Sequence, residues 1–297
     1  MYYGDAMSQK NYAQVFVFLM VLFFIPTATR AEVSETFISV FPKSVVPGEP
    51  VIIKVTGINN LSAIASGMFG TKQLDFFLHK SEIVALVAVG LSEKSGARTV
   101  KVLFTDGREL ELFVEIKARP KVEVPLGIPD KLGGNTPKAQ NNLVSSIYKE
   151  NAEIASVYRK LPKVLWVEPF RLPLSSLTIT DSFGYSRKTG SFLISHNGVD
   201  LRAKSGTPIF SANRGIVRLA REFSVYGKTV VIDHGLGVQT LYLHLSNILV
   251  NPGELVLSGQ KIGRTGQSGY AEYPHLHFGV RLGSVAVDPI KFMELWR

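Results

Sequence analysis

The C-terminal stretch of this chain constrains its fold more than any other part of the sequence. Residues 168–297 are rich in glycine and β-branched residues and show little helical periodicity. They also contain five of the six histidines of the 297-residue chain. Short β-branched segments separated by glycine turns are typical of antiparallel β-structure. The stretch therefore predicts a mainly β domain in which several imidazoles can come together.

Cysteine is absent from the sequence. This excludes a disulfide scaffold, a cysteine-ligated zinc and a thiol nucleophile. A transition metal bound here must be held by His, Asp or Glu. The formal net charge is +9, which predicts an anionic partner without identifying it. Residues 119–167 carry +4 of this charge and residues 168–297 carry +5, so the excess lies near the histidines.

The N-terminal segment predicts export. Lys10 precedes an apolar run from Val15 to Ile25, which is shorter than the roughly 20 residues of a membrane span and fits a secretory signal. Thr29 and Ala31 are small residues at −3 and −1 of a cleavage site, so residues 1–31 are predicted as a signal peptide. An uncleaved anchor, with membrane association, is the alternative. Either way the remaining chain is exported, most simply to the periplasm, and a nucleic-acid partner is not expected.

Residues 32–118 predict a β-sandwich. A strand is expected from Val51 to Thr56 and another from Ile83 to Val89. An Asp-Gly turn within Thr105–Gly107 separates two alternating segments, which is a strong hairpin signal. Several short strands at this spacing are typical of sandwich folds. No group of catalytic residues occurs in this stretch.

Residues 119–167 form a connector with one predicted helix. Asn135 or Thr136 can cap this helix, and Pro137 suits its first position. Apolar residues then recur at helical spacing, at Leu143, Ile147, Ile154, Val157 and Leu161. This stripe predicts packing against a neighbouring domain. Self-association of the helix is the less favoured alternative, because one short stripe does not establish a coiled coil.

Three short motifs in residues 168–297 carry the chemistry. The first places His196 four residues before Asp200, and the second presents His244 between apolar neighbours. The third is His275-Leu276-His277. On a strand its two histidines point to one face, while the apolar residues beside them point to the other. This alternation is expected where one face of a sheet is a core and the other a polar site.

The motifs together indicate a catalytic metal. Zinc in catalytic sites takes three protein ligands and leaves a position for water. His196, Asp200 and one histidine of the third motif would supply two imidazoles and one carboxylate. Zinc lowers the pKa of its bound water far below that of bulk water, to about 7. The two remaining histidines could transfer protons or stabilise an oxyanion. Iron(II) accepts the same ligand types, but surplus histidines and export favour hydrolytic zinc.

In order and spacing, these motifs resemble those of the lysostaphin/LytM-type zinc metallopeptidases. The resemblance covers about residues 170–292 and includes three further segments, Phe183-Gly184-Tyr185, the glycines of Gly259–Gly266 and Val287-Asp288-Pro289. Residues 32–118 are more loosely similar to the immunoglobulin-like domain that precedes this catalytic domain in some bacterial members. The resemblance implies a small antiparallel β-sheet domain with zinc in a groove above the sheet.

The resemblance also implies roles for individual residues. His196, Asp200 and His277 would be the metal ligands, and His244 and His275 the catalytic histidines. The implied reaction is hydrolysis of peptide cross-links in cell-wall peptidoglycan by an exported zinc metalloendopeptidase. Some relatives have lost ligands and only activate other wall hydrolases. A non-catalytic module that binds and activates a wall amidase is therefore the alternative, although this chain retains all five positions.

Aromatic residues near the motifs are candidates for substrate binding. These are Tyr226, Tyr242 and Tyr273, with core packing an equally favoured alternative for the first two. Tyr273 stands where relatives typically carry a small residue. Ser186 separates Tyr185 from Arg187, where many relatives have the arginine directly after the tyrosine. His234 is predicted to be a turn residue that bonds to the backbone.

Overall fold

A computed structural model of the chain describes residues 35–130, 133–159 and 161–296. The predicted signal peptide, residues 1–31, lies outside these ranges. All described residues belong to one compact unit, Ser34–Arg297. Within them, no helix combines the length and the apolar character needed to span a membrane. The mainly β fold predicted from the sequence is confirmed.

Nine strands form the N-terminal part. They are β1 (Phe37–Phe41), β2 (Ser44–Val45), β3 (Pro50–Thr56), β4 (Ile64–Phe69), β5 (Lys72–Gln73), β6 (Phe76–His79), β7 (Glu82–Ala88), β8 (Gly96–Phe104) and β9 (Glu109–Ile116), with a short 3-10 helix at Leu61–Ala63. One sheet has the order β1-β3-β7-β6 and the other β2-β9-β8-β4-β5. Alternate residues such as Val51, Ile53, Val100 and Val114 are fully buried. The two sheets thus form a sandwich, and β8 and β9 form the predicted Asp-Gly hairpin.

The connector contains strand β10 (Glu123–Pro125) and helix α1 (Pro137–Ser156). The helix begins at Pro137, as predicted, and Thr136 caps it by accepting a hydrogen bond from the backbone N–H of Ala139 at 3.3 Å. Ile154 is fully buried against Leu219, Leu241 and Leu243 of the C-terminal sheet. The predicted stripe therefore packs on that sheet, although the helix ends before its last two positions, Val157 and Leu161.

Twelve strands and a short helix form the C-terminal part. They are β11 (Ile179–Asp181), β12 (Ser186–Thr189), β13 (Phe192–Ser195), β14 (Val199–Arg202), β15 (Pro208–Phe210), β16 (Gly215–Phe223), β17 (Gly227–Gly235), β18 (Val238–Ile248), β19 (Leu255–Val256), β20 (Lys261–Thr265), β21 (His275–Leu282), β22 (Val285–Val287) and α2 (Pro289–Glu294). The main sheet has the order β11-β14-β21-β18-β17-β16-β19, with β15, β20 and β22 paired at its sides. Strand β10 joins β12 and β13 in a separate three-stranded sheet.

Strand β21 positions the site. It lies between β14 and β18, and Leu276 and Phe278 on one of its faces are fully buried in the main core. His275 and His277 lie on its other face, because successive side chains alternate along a strand. The main core also includes Ile52 and Phe77 of the sandwich. The sheet that carries the site is therefore packed on both the sandwich and helix α1.

Candidate active site

His196, Asp200 and His277 converge on one point. Each offers one ligand atom, and the three atoms lie within 4.8 Å of one another. Asp200 Oδ1 lies 3.1 Å from His196 Nε2 and 2.8 Å from His277 Nδ1, and the two imidazole nitrogens are 3.0 Å apart. The structure thus brings together the three residues predicted as metal ligands.

Local structure explains this convergence. Asp200 and His277 are direct cross-strand partners in the β14–β21 pair, which places their side chains side by side. His196 lies in the loop just before β14. Gly198 makes room for the cluster, because a Cβ at this position would lie 2.5 Å from Nε2 of His277. Glycine is therefore required here for close approach rather than for a turn.

The donor set of this cluster suits a cation. His196 Nδ1 lies 2.8 Å from the carbonyl oxygen of Ser182, so this nitrogen must carry the proton of the neutral ring. Its Nε2 then presents a lone pair toward the Asp200 carboxylate. Only one of the three converging atoms, His277 Nδ1, can carry a proton while the rings are neutral. Facing lone pairs repel one another unless a positive ion lies between them, so the residues present fit a metal.

Arg187 binds the far side of the aspartate. Its Nη2 donates a hydrogen bond to Asp200 Oδ2 at 2.6 Å, and its guanidinium also binds Asp181. Burial alone would raise the pKa of Asp200, but its contacts with the imidazoles of His196 and His277 hold that pKa well below its ordinary value. The carboxylate is therefore charged at neutral pH, as a metal ligand must be.

His244 and His275 lie beside this cluster. Their ring centroids are 4.9 Å apart, and His275 Nε2 is 3.8 Å from Asp200 Oδ1. His244 Nδ1 lies 2.9 Å from the carbonyl of Ser268, and His275 Nδ1 lies 2.8 Å from the carbonyl of Tyr273. Each carbonyl fixes the proton on Nδ1 and leaves Nε2 as an acceptor.

His244 occupies an irregular position on its strand. Its φ is +63°, a backbone conformation that residues other than glycine rarely adopt. Strand β18 changes its partner strand across this position: Leu243 pairs with His277 of β21, and Leu245 pairs with Thr265 of β20. Backbone strain of this kind is often found at functional sites. The irregular strand turns the imidazole toward the cluster instead of into the core.

Burial keeps two of these imidazoles neutral. It lowers the pKa of His244 to about 3, with the charges of His275 and His277 acting in the same direction. It lowers the pKa of His277 to about 4, against the opposing effect of Asp200. Neutral imidazoles can accept protons or bind metals, so both residues are in the required state at pH 7.

The three predicted substrate-binding tyrosines lie in different places. Tyr242 is fully buried in the main core, and its hydroxyl accepts a hydrogen bond from the backbone N–H of Ala212 at 2.8 Å. It does not line the groove, so the packing alternative describes it. Tyr226 lines the cavity beside the cluster. Tyr273 is 70% exposed and contacts His275 through its carbonyl.

A cavity of about 340 Å³ opens beside the cluster, between helix α1 and the main sheet. His196, His244 and His277 line one part of it, and Arg281 lines another. Apolar residues of α1, such as Leu143 and Ile147, contribute the opposite wall. The connector helix thus forms part of the same cavity as the histidine cluster.

Two contacts that shape the site were not predicted. The first joins Arg187 to Asp200, thirteen residues further along the sequence. Its one sign in the sequence is the Tyr185-Ser186-Arg187 segment, in which the arginine stands one position later than in many relatives. Glu150 of α1 accepts hydrogen bonds from Ser224 Oγ and from the backbone N–H groups of Val225 and Tyr226 at 2.8–2.9 Å. A charged residue in an amphipathic helix is ordinarily solvated, so the sequence contained no sign that Glu150 is buried.

His234 also differs from its prediction. It is buried within strand β17 rather than placed in a turn. Its Nδ1 lies 2.8 Å from the carbonyl of Arg214, as expected of a backbone-bonded histidine, and its Nε2 lies 2.8 Å from Thr240 Oγ1. It belongs to the core beside Phe170 and not to the cluster of His196, Asp200 and His277.

The segment that contains this site is similar to known proteins. Residues 194–289 match the sequence model of Peptidase family M23. Peptidoglycan DD-endopeptidase ShyB of Vibrio cholerae is 40% identical over 116 residues, which are 38% of this chain and 27% of the relative. The chain thus spans about a quarter of the length of this relative. All five His and Asp positions of the site lie within the matched range.

Two further similarities extend beyond the site. The uncharacterized lipoprotein YgeR of Escherichia coli is 27% identical over 239 residues, covering 79% of this chain and 90% of the relative. A crystal structure of a peptidase M23 protein from Pseudomonas aeruginosa superimposes with a TM-score of 0.55 at 26% identity, covering 84% of this chain and 94% of that one. The architecture of most of the chain is thus shared with a solved structure.

Proposed function

Because residues 194–289 form a Peptidase family M23 domain, we propose that this chain is an exported zinc metalloendopeptidase that hydrolyses peptide cross-links of peptidoglycan. The family match and the relative named as a peptidoglycan DD-endopeptidase support the reaction class. The predicted resemblance to the lysostaphin/LytM-type metallopeptidases is confirmed at the level of the family.

One observation carries the proposal. The cluster of His196, Asp200 and His277 brings two imidazoles and a carboxylate within 4.8 Å, with His244 and His275 directly beside it. Three ligands suit a catalytic rather than a closed structural site, which needs four. When bound, zinc supplies a water molecule of pKa about 7 and a positive charge that polarises the substrate carbonyl.

His244 and His275 are proposed to move the protons. Both have Nδ1 held by a backbone carbonyl and Nε2 available as an acceptor. In this form either imidazole can accept the proton released when water attacks the peptide carbonyl. The resulting imidazolium can then donate that proton from Nε2 to the departing amine. The carbonyls of Ser268 and Tyr273 keep both rings in the tautomer that this sequence of steps needs.

The proposed substrate and location follow from separate features. Peptidoglycan is anionic, and residues 168–297 carry a net charge of +5, so the domain is attracted to the wall at low ionic strength. The signal-like N-terminal segment and the similarity to a lipoprotein support export. We assign the periplasm as the location, with an anchor in the inner membrane as the alternative.

Digestion of purified sacculi tests the proposal. The full mature chain, loaded with zinc, is expected to release cross-link fragments that mass spectrometry identifies by a new amine and a new carboxylate at one peptide bond. Asp200→Ala is expected to abolish release, whereas Asp106→Ala, in the exposed hairpin of the sandwich, is expected to leave it unchanged.

Two outcomes would contradict the proposal. Activity that persists in the presence of a strong chelator would exclude the metal. A protein that binds zinc yet releases nothing from sacculi, and instead stimulates a wall amidase added to them, would support the non-catalytic alternative.

A further inference from the structure

Arg281 shares a strand face with the two histidines of β21. His275, His277, Gly279 and Arg281 follow one another at every second position, so their side chains point the same way. Arg281 and His277 both line the cavity beneath α1. At about 3.4 Å per residue, the backbone positions of these two residues are about 14 Å apart. The guanidinium therefore lies in the same cavity as the proposed metal centre, further along the strand.

No carboxylate compensates the charge of Arg281 among the described residues. Its side chain instead contacts Asn151 of α1, whose Oδ1 accepts a hydrogen bond from Nη2 at 2.9 Å. By contrast, Arg187 and Arg218 each pair with a buried or partly buried aspartate. Burial lowers the pKa of Arg281, which indicates that the charge is poorly solvated. A desolvated cation without a counter-ion is unfavourable.

The polar groups packed around Arg281 are also neutral or already engaged. Its cross-strand partner is Gln239, which carries no charge. Burial raises the pKa of Tyr226 to about 12, so this phenol is neutral as well. The oxygens of Glu150, next to Asn151, accept hydrogen bonds from residues 224–226. The cavity thus contains a positive charge for which the described part of the chain supplies no anion.

We infer that Arg281 forms an anion-binding subsite of the substrate cavity and binds a free carboxylate of the wall peptide. The inference rests on the proposed function, since it takes the cavity beside the histidines to be the substrate site. A guanidinium binds a carboxylate through two parallel hydrogen bonds, which gives both strength and orientation. For an extended peptide, the spacing along β21 places this carboxylate roughly two to four residues from the scissile bond.

Paired substrates test the inference. Cross-linked wall peptides with free side carboxylates are compared with the same peptides after chemical amidation of those carboxylates. The wild-type enzyme is expected to cleave the free form with a kcat/KM about 10- to 100-fold higher. Arg281→Gln is expected to lose that preference by lowering kcat/KM for the free form alone, and Arg281→Lys is expected to retain part of it.

Two control variants separate substrate binding from structure. Asn151→Ala removes the helix partner of the guanidinium but keeps its charge, so the preference for the free carboxylate is expected to persist. Arg264→Gln replaces an exposed arginine of strand β20 and is expected to leave the cleavage of both substrates unchanged. An equal loss on both substrates in Arg281→Gln, or equal cleavage of both by the wild type, would overturn the inference.

A binding measurement keeps the inference distinct from the proposed function. Isothermal titration of the zinc-loaded protein with uncross-linked stem peptide, free or amidated, involves no turnover. Tighter binding of the free form that disappears in Arg281→Gln would support the subsite even if sacculi are not digested. Cleavage without any such difference in binding or kcat/KM would contradict the subsite and leave the peptidase assignment intact.

Discussion

Arg187 and Asp200 are joined by a 2.6 Å hydrogen bond from the guanidinium to Oδ2, while Oδ1 of the same carboxylate faces His196 and His277. One oxygen is thus oriented by a cation and the other is directed at the proposed metal position. Asp181 holds the guanidinium from its other side. Groups that orient metal ligands in this way commonly change metal affinity 10- to 100-fold, by order of magnitude.

Removing Arg187 should therefore weaken zinc binding. Arg187→Met is expected to raise the zinc dissociation constant about 10- to 100-fold, measured by competition with a chromophoric chelator. Arg187→Lys should give an intermediate value, because an ammonium group does not reproduce the planar fork that spans both aspartates. Lys188→Met, the exposed neighbouring residue on β12, is the matched control. Unchanged zinc affinity in Arg187→Met would show that Arg187 does not orient the ligand.

Substitution of the two histidines of β21 should affect different properties, zinc content for one and kcat for the other, although the residues are only two positions apart. His277→Ala removes a proposed ligand, so zinc content measured by atomic emission is expected to fall with activity. His275→Ala is expected to keep zinc and to lower kcat by about 10²- to 10⁴-fold, because it removes a proton-transfer group. If His275→Ala lost the metal and His277→Ala kept it, the two assignments would have to be exchanged.

Glu150 should contribute much more to the docking of α1 than Glu153 does. Glu150 is buried and accepts three hydrogen bonds from residues 224–226. Glu150→Ala leaves one buried and one partly buried backbone donor unpaired and is expected to cost about 2–4 kcal/mol in the free energy of unfolding. Glu153 pairs with the largely exposed Arg221, so Glu153→Ala should cost less than about 1 kcal/mol.

Urea denaturation and limited proteolysis measure this difference. Faster cleavage within residues 137–156 of Glu150→Ala is the expected sign of a loosened helix. Equal stability of the two variants would mean that the contacts of Glu150 do not hold the helix on the sheet.

How much of this site can be predicted from sequence depends on the kind of contact. His275 and His277 alternate with apolar residues, and strand periodicity alone places them on one face. The pairing of Asp200 with His277 spans 77 residues, and here the spacing of the family motifs supplies what local pattern cannot. The left-handed backbone at His244 has no glycine or asparagine to signal it, since the surrounding sheet imposes it.

Contacts between residues distant in sequence also explain why Tyr242 and His234 do not lie where the sequence suggested. Tyr242 alternates with Leu241 and Leu243 on β18, so one of the two faces had to be the core, and the sequence did not indicate which. Asp233-His234-Gly235 has the composition of a turn, but Asp233 and Gly235 pair with β18. The imidazole of His234 can be buried there because hydrogen bonds with Arg214 and Thr240 satisfy both of its nitrogens. Burial of polar groups is decided by partners distant in sequence, which local composition does not reveal.

His234 should make stability depend on pH. Burial lowers the pKa of this histidine to about 4 in the folded protein, against the weaker opposing effect of its bond to Arg214, whereas an unfolded histidine has a pKa of about 6.5. Between these values the unfolded chain binds more protons than the folded one, so stability falls as pH drops from about 6.5 to about 4. The difference in pKa corresponds to about 3 kcal/mol.

A variant that cannot titrate isolates this contribution. In urea denaturation of the zinc-free protein, His234→Gln should be less stable than wild type at pH 7, because it disturbs the bonds to Arg214 and Thr240. The difference in the free energy of unfolding between the two proteins should narrow by up to about 3 kcal/mol toward pH 4, since only the wild type loses the contribution of this imidazole. His244 and His277 titrate in both proteins and cancel in the comparison. A gap that stays constant between pH 7 and pH 4 would show that His234 is not held neutral by the fold.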